Sequence, residues 1–179
     1  MNQNLEQFEN EKYAFRSKCS FSVVDRAMLD QIRDCARKAP HKRARICCHQ
    51  TTQDSPQEML VCLEPGTYIR PHRHFDRTES GLALLGKADA VFFDDEGNVT
   101  DVWPMGALGS GLRFYYRIQE PVFHCLLVRD EPFVFHEVST GPFDNEKTDY
   151  ALWAPEQNKL AEIEEYLEEL RFNLAIFVR

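Results

Sequence analysis

Three histidines and one glutamate carry the clearest chemical signal in the sequence. His72 and His74 lie two residues apart in Arg70-Pro-His-Arg-His74, and Glu79 follows shortly after. Alternate residues of a strand face the same way, so both imidazoles can converge on one point while Arg73 turns aside. Imidazole nitrogen suits divalent transition metals, and a carboxylate balances part of the ion's charge. His124 sits in the apolar run Pro121-Val-Phe-His-Cys-Leu-Leu-Val128. A buried polar side chain without a partner is costly, and a metal removes that cost. The expectation is one divalent transition metal ion (Fe, Zn, Ni or Mn) held by His72, His74, Glu79 and His124. Four protein ligands would leave two positions open on an octahedral ion. An isolated H-x-H would be read as a chance surface pair; here it comes with a following Glu and a later strand His.

Tyr68 and Arg70 share strand parity with His72, so a regular strand would turn both toward the ion and make them candidate substrate-binding residues. Arg70 could grip an anionic group through two parallel hydrogen bonds, or form a surface salt bridge. His49 reads as a loop histidine, His136 as structural or exposed, and Trp153 as an apolar anchor for the C-terminal segment.

These side chains need a β scaffold, and the pattern supplies one. Short apolar segments at residues 59–63, 68–72, 81–85, 88–93, 99–103, 114–118, 122–128 and 133–138 alternate with turn formers such as Pro65-Gly66, Gly86 and Asp94-Asp95-Glu96-Gly97. Strands this short with no helix between them imply antiparallel pairing in a barrel or double-sheet sandwich. Val24, Met28, Ile32, Cys35, Ala36 and Ala39 recur at helical spacing, predicting an amphipathic helix over residues 23–39 that opens near Ser22 and Asp25. Leu160, Ile163, Leu167 and Leu170 mark a second amphipathic helix with a glutamate-rich outer face, followed by an apolar tail. The organisation expected is an N-terminal extension and helix over residues 1–50, a barrel over 51–156, and a C-terminal helix and tail over 157–179. Residues 1–20 are polar and weakly patterned.

The formal net charge of −8 argues against a nucleic-acid partner. The basic stretch from Arg37 to Arg45 reads as a solvated helix end and loop. No apolar run is long enough to span a bilayer, and the polar start lacks signal-peptide character, so a cytoplasmic location and six reduced cysteines are expected.

Gly66, His72, His74, Glu79 and Gly86 match the first cupin motif, G-x5-H-x-H-x4-E-x6-G, at every fixed position. Of the second motif, P-x-G-x-x-H-x3-N, only His124 remains; Gln119, Pro121 and Val128 stand at the other positions. The resemblance extends to the WbuC family of cupin-fold metalloproteins. It is carried by Leu63-Glu-Pro-Gly-Thr-Tyr-Ile-Arg-Pro-His-Arg-His74, Val91-Phe-Phe-Asp-Asp-Glu-Gly-Asn-Val99, Phe135-His-Glu-Val-Ser-Thr-Gly-Pro-Phe143 and Trp153-Ala-Pro-Glu156, together with the N-terminal helix leading to Arg45, His49, Asp54 and Gln57. It covers roughly Val24 to Glu156. It implies a mainly β fold, a cupin double-stranded β-helix (jelly-roll) barrel with flanking N- and C-terminal helices, a bound metal, a homodimer, and an association with bacterial surface polysaccharide.

The leading functional expectation is a metal-dependent small-molecule enzyme of oxygenase or isomerase type, with an anionic or sugar-like ligand. The alternatives are a non-catalytic, metal-dependent sugar or metabolite-binding module and a structural barrel stiffened by its ion. The fold alone does not choose between them.

Overall fold

In a computed structural model, residues 5–8, 11–144 and 147–177 are described. Twelve strands and two helices follow one another as β1 (Leu5–Phe8), β2 (Glu11–Ser17), α1 (Arg26–Lys38), β3 (Arg43–Cys47), β4 (Pro56–Leu63), β5 (His72–His74), β6 (Glu79–Leu85), β7 (Lys87–Phe93), β8 (Val99–Gly106), β9 (Tyr115–Ile118), β10 (Phe123–Val128), β11 (Phe133–Thr140), β12 (Thr148–Tyr150) and α2 (Leu160–Phe177). They build a seven-stranded sheet, β1-β2-β3-β4-β11-β6-β9, and a five-stranded sheet, β12-β5-β10-β7-β8. Every pairing between these strands is antiparallel except β2 with β3, and an isolated bridge joins Met105 and Arg113 in parallel. The chain switches repeatedly between the sheets, and this is the expected double-stranded β-helix barrel.

Three apolar clusters explain the layering. Between the sheets lie Leu63, Ala88, Ala90, Phe92, Leu126, Val128, Phe133 and Phe135. Outside the larger sheet, Met28, Ile32 and Ala36 of α1 meet Ile46, Leu60, Cys62 and Val134. Outside the smaller sheet, Ile163, Leu167, Leu170 and Leu174 of α2 meet Val91, Phe93, Cys125 and Leu127. A strand covered on both faces has no solvent side, which is why β10, Phe-His-Cys-Leu-Leu-Val, is buried at all six positions instead of alternating.

The structure departs from the sequence expectations at several points. Helix α1 begins at Arg26, not residue 23: Asp25 is the N-cap, accepting from the Met28 amide at 2.9 Å, while the Ser22 hydroxyl reaches the Cys48 carbonyl. Residues 5–8 and 11–17, read as unpatterned, add two strands to the larger sheet. The basic stretch is not all solvated loop, because Arg43–Cys47 forms β3 and pairs with both β2 and β4. The segment from Tyr68 to Pro71 is not strand, and β5 is only three residues long. In α2, Leu160 is 70% exposed at the first turn, and Leu174 completes the buried stripe instead. The tail expected at residues 174–178 is largely a continuation of that helix, and Val178 lies outside the described residues.

Gly86 ends the motif at the β6–β7 turn with φ +72°, a backbone conformation that a Cβ disfavours. A Cβ there would also lie 2.1 Å from the Pro132 carbonyl oxygen. The glycine thus sets the tight connection between the two sheets just beyond Glu79's strand.

Candidate metal centre

The two sheets meet at the cluster. On the smaller sheet, His124 of β10 pairs directly with His72 of β5, and Thr148 of β12 pairs with His74. The imidazole centroids of His72 and His74 are 4.8 Å apart, and those of His72 and His124 are 4.7 Å apart. Glu79 opens β6 on the facing sheet, between Ile118 of β9 and Ser139 of β11. Donor atoms of all four side chains lie within 4.8 Å of one another.

Hydrogen bonds aim two of the rings. His72 Nδ1 is 2.9 Å from the Arg70 carbonyl oxygen, and His124 Nδ1 is 2.9 Å from the Val122 carbonyl oxygen. A carbonyl only accepts, so each Nδ1 carries the proton and each Nε2 presents a lone pair. The lone pair of His124 Nε2 is buried and has no hydrogen-bond partner. Glu79 Oε1 accepts from the Tyr116 hydroxyl at 3.0 Å. Its Oε2 stands 3.5 Å from His74 Nε2 and 3.8 Å from His124 Nε2. These separations are long for hydrogen bonds, so Glu79 acts on both rings mainly through its charge.

Gly81 makes room for the Tyr116 contact. A Cβ at Gly81 would fall 2.4 Å from the Tyr116 ring, so any larger residue there would push the phenol away from Glu79. Burial, then the neighbouring Glu79 charge, raises the Tyr116 hydroxyl well above its ordinary range, and it stays a donor.

The electrostatics suit a cation. Burial, helped by His124, pushes His72 down to about 3, and burial also lowers His74. Burial opposes ionisation of Glu79, yet the adjacent imidazoles His124 and His74 outweigh it and hold the carboxyl well below its usual value. Burial pulls His124 down too, but the Glu79 charge prevails and raises it. Two imidazoles kept neutral by burial, a third drawn toward its charged form by Glu79, and one ionised carboxylate make a three-nitrogen, one-oxygen donor set that could hold a divalent ion once His124 gives up its proton. Donors about 2.1 Å from one ion stand about 3 Å apart when adjacent and at most about 4.2 Å when opposite, so the set closes by about 0.6 Å or more on binding one.

Sequence reasoning placed two further residues here, and the structure separates them. Tyr68 points away from the cluster: its hydroxyl donates to the Pro155 carbonyl at 2.7 Å and its ring meets Tyr166 of α2 edge-on. Arg70 does line the cavity, but its guanidinium donates through Nε and Nη2 to the Ala151 carbonyl and lies over the Tyr150 ring. Both shifts follow from the loss of regular strand before Pro71, which removes the parity on which the expectation rested. His49 accepts from the Glu58 amide, and His136 pairs with Glu58 at 2.8 Å, on faces remote from the cluster. Trp153 stacks near Phe93 and Phe123 as an anchor.

A cavity of about 630 Å³ opens over the cluster between the sheets. Among its walls are Arg43, Arg45, Arg77 and Glu137, none of which stood out in the sequence as site residues. Glu137 shares inward parity with Phe135 and Ser139 on β11. Burial and the nearby Glu79 charge push its carboxyl up to about 8, against the pull of Arg45, Arg77 and Arg43. The signal for Glu137 was its alternation with His136, which becomes readable only once the inward face of β11 is known.

Residues 24–105 match a family described as a domain of unknown function (DUF6016). No curated protein matches in sequence. Among solved structures, a conserved protein with a double-stranded β-helix domain from Klebsiella pneumoniae is 18% identical at TM-score 0.47, covering 61% of this chain and 79% of that one. A cupin-superfamily sugar phosphate isomerase from Silicibacter pomeroyi is 24% identical at TM-score 0.40, covering 49% and 52%. Oxalate decarboxylase from Lactobacillus farciminis is 21% identical at TM-score 0.43, covering 55% of this chain but only 28% of its own. The match thus spans well under two thirds of the decarboxylase and of the isomerase. No helix among the described residues is long and apolar enough to cross a membrane.

Proposed function

We propose that this chain is a metal-binding cupin of the WbuC type, in which His72, His74, Glu79 and His124 hold one divalent transition ion and the cavity above them is the active site of a small-molecule enzyme. The observation that carries this reading is the buried, partnerless Nε2 of His124, aimed by the Val122 carbonyl into a cluster of two more imidazoles and a carboxylate. An orphaned buried polar atom is rare in a folded protein and points to a missing partner. When bound, such an ion supplies Lewis acidity or a lowered pKa for water.

The chain's own residues favour proton transfer within that chemistry. Glu137 faces the same cavity, and in the metal-free chain burial and the Glu79 charge push its carboxyl up to about 8, so it is a group that can give or take a proton there. Tyr116 fixes Glu79 in orientation, and the carbonyls of Arg70 and Val122 fix two imidazoles. An isomerase-type reaction therefore comes first and an oxygenase second; a non-catalytic binding module would give Glu137 no task.

The test is solvent deuterium exchange, followed by NMR, into a panel of sugar phosphates and 2-oxo acids with metal-loaded protein. Exchange at a carbon beside a carbonyl that is lost in Glu137→Gln, with metal content unchanged, supports the reading. Oxygen uptake without exchange would replace isomerase by oxygenase. Neither activity with any panel member, despite full metal occupancy, would favour the binding module.

A further inference from the structure

The chain carries a net charge of −8, yet the cavity wall holds Arg43, Arg45 and Arg77. Strand β3 places the first two side by side on the inward face, Arg43 opposite Leu63 and Arg45 opposite Val61 of β4. Arg77 precedes Glu79 in the connection between β5 and β6.

All three are poorly neutralised. The exposed Arg43 guanidinium makes no side-chain hydrogen bond or ion pair among the described residues and stands beside the Arg45 charge. Arg45 pairs at the rim with Glu11, whose side chain is 54% exposed, so that bond is readily exchanged for another. Its Nε is buried and has no partner. Arg77 lies over the Phe143 ring and meets no carboxylate within ion-pair distance among the described residues.

The only polar contact of the Arg77 guanidinium among the described residues is with His74, its Nη2 lying 2.7 Å from Nδ1 and 2.9 Å from Nε2. A guanidinium only donates, and a neutral imidazole has one in-plane lone pair. Nη2 is nearly equidistant from both ring nitrogens, so it lies over the imidazole face, out of the plane of that lone pair. The guanidinium thus lines the cavity with no acceptor among the described residues. Three guanidinium groups around one concave space, two without an ion pair and one paired only with the half-exposed Glu11, form a receptor for an oxyanion.

We propose that the cavity binds a small-molecule anion, its carboxylate or phosphate group held by Arg43, Arg45 and Arg77 rather than by Arg70. This rests on the reading of the cavity as the active site and names the class of its substrate.

The test is titration calorimetry of the full chain with malonate and with inorganic phosphate, with metal content measured on the same samples and folding checked by circular dichroism. The expected result is binding of at least one probe to metal-loaded protein, weakened tenfold or more by Arg43→Gln and by Arg77→Gln at unchanged metal content. Arg77→Lys should recover part of the loss, and Arg113→Gln, at an exposed position outside the cavity, should behave as wild type. The stronger probe separates a carboxylate from a phosphate ligand. On the unsubstituted chain, phenylglyoxal labelling of Arg43 and Arg77, read by mass spectrometry, should be blocked by the bound probe; this arm does not depend on the variants folding. Failure of both probes to bind metal-loaded protein, or binding that survives Arg43→Gln/Arg77→Gln, overturns the proposal and leaves the metal reading intact. Wild-type protein that binds the anion but no metal supports the arginine receptor and counts against the metal reading alone.

Discussion

The two ends of the barrel interior are built on the same strands and do opposite work. On β10, His124 points into the cavity, and two and four residues later Leu126 and Val128 lie in the core between the sheets. On β11 the order is reversed, with Phe133 and Phe135 in the core and Glu137 in the cavity. On β6, Glu79 sits at the cluster and Ala83 in the core. The change from packed apolar side chains to ionisable ones takes about one residue pair, roughly 7 Å of strand. The apolar end lowers the free energy of the fold through burial, while the polar end consists of groups that burial disfavours and only a ligand satisfies. Site and scaffold should therefore be separable by mutation, although no break in the chain divides them.

The largest effect should come from the apolar end. Phe133 is fully buried and stacks on Phe135 with centroids 5.3 Å apart. Phe133→Ala should cost about 3–5 kcal/mol in denaturant unfolding. If metal affinity per folded molecule fell as steeply, the two ends would not be independent.

His74→Ala is the mirror experiment. It should lower metal occupancy about a hundredfold or more, while the far-ultraviolet circular dichroism stays that of the native barrel. The metal-free wild type should likewise stay folded, because α1, α2 and the inter-sheet core are packed without any contribution from the ion. Unfolding on chelation would contradict that separation.

Gly81→Ala tests the boundary between the two ends. The added methyl must displace Tyr116, which belongs to the core cluster and also donates to Glu79. Metal affinity should fall about tenfold, with a modest loss of stability. Tyr116→Phe should reproduce the affinity loss without the steric part.

The last effect is one of pH. In the metal-free protein the Glu137 carboxyl is raised from 4.5 to about 8. Between those values the folded chain holds a proton that the unfolded chain has lost, so stability falls as pH rises through the window. Glu137→Gln removes that dependence and should be more stable than wild type at pH 9, by about 1–3 kcal/mol. A variant with an unchanged slope between pH 5 and 8 would place the titration elsewhere.

Much of the cluster was legible because His72, His74 and Glu79 lie close in sequence and strand parity is a local property. His124 was legible because a histidine in an apolar run demands a partner. The apolar patterning revealed seven of the eight expected strands for the same local reason, the segment at residues 68–72 being the exception. Arg43 and Arg45 were not legible: a cationic stretch after a helix reads as solvated, and only pairing of β3 with β4 turns it inward. Tyr68 was misplaced because parity was extended through Pro71, where the strand had not yet begun, whereas Arg70 does line the cavity but gives its guanidinium to the Ala151 carbonyl. Strands β1, β2 and β12 are short or polar and owe their form to neighbours distant in sequence. Arg77 carried no local signal at all, since its role depends on folding back onto His74.

One measurement tests the metal assignment most directly: anomalous scattering from crystals of the metal-loaded protein, at the absorption edge of the ion found by elemental analysis. The account predicts a single strong peak at about 2.0–2.3 Å from donor atoms of His72, His74, Glu79 and His124. A peak elsewhere in the molecule, or one with His124 rotated off the ion, would contradict it.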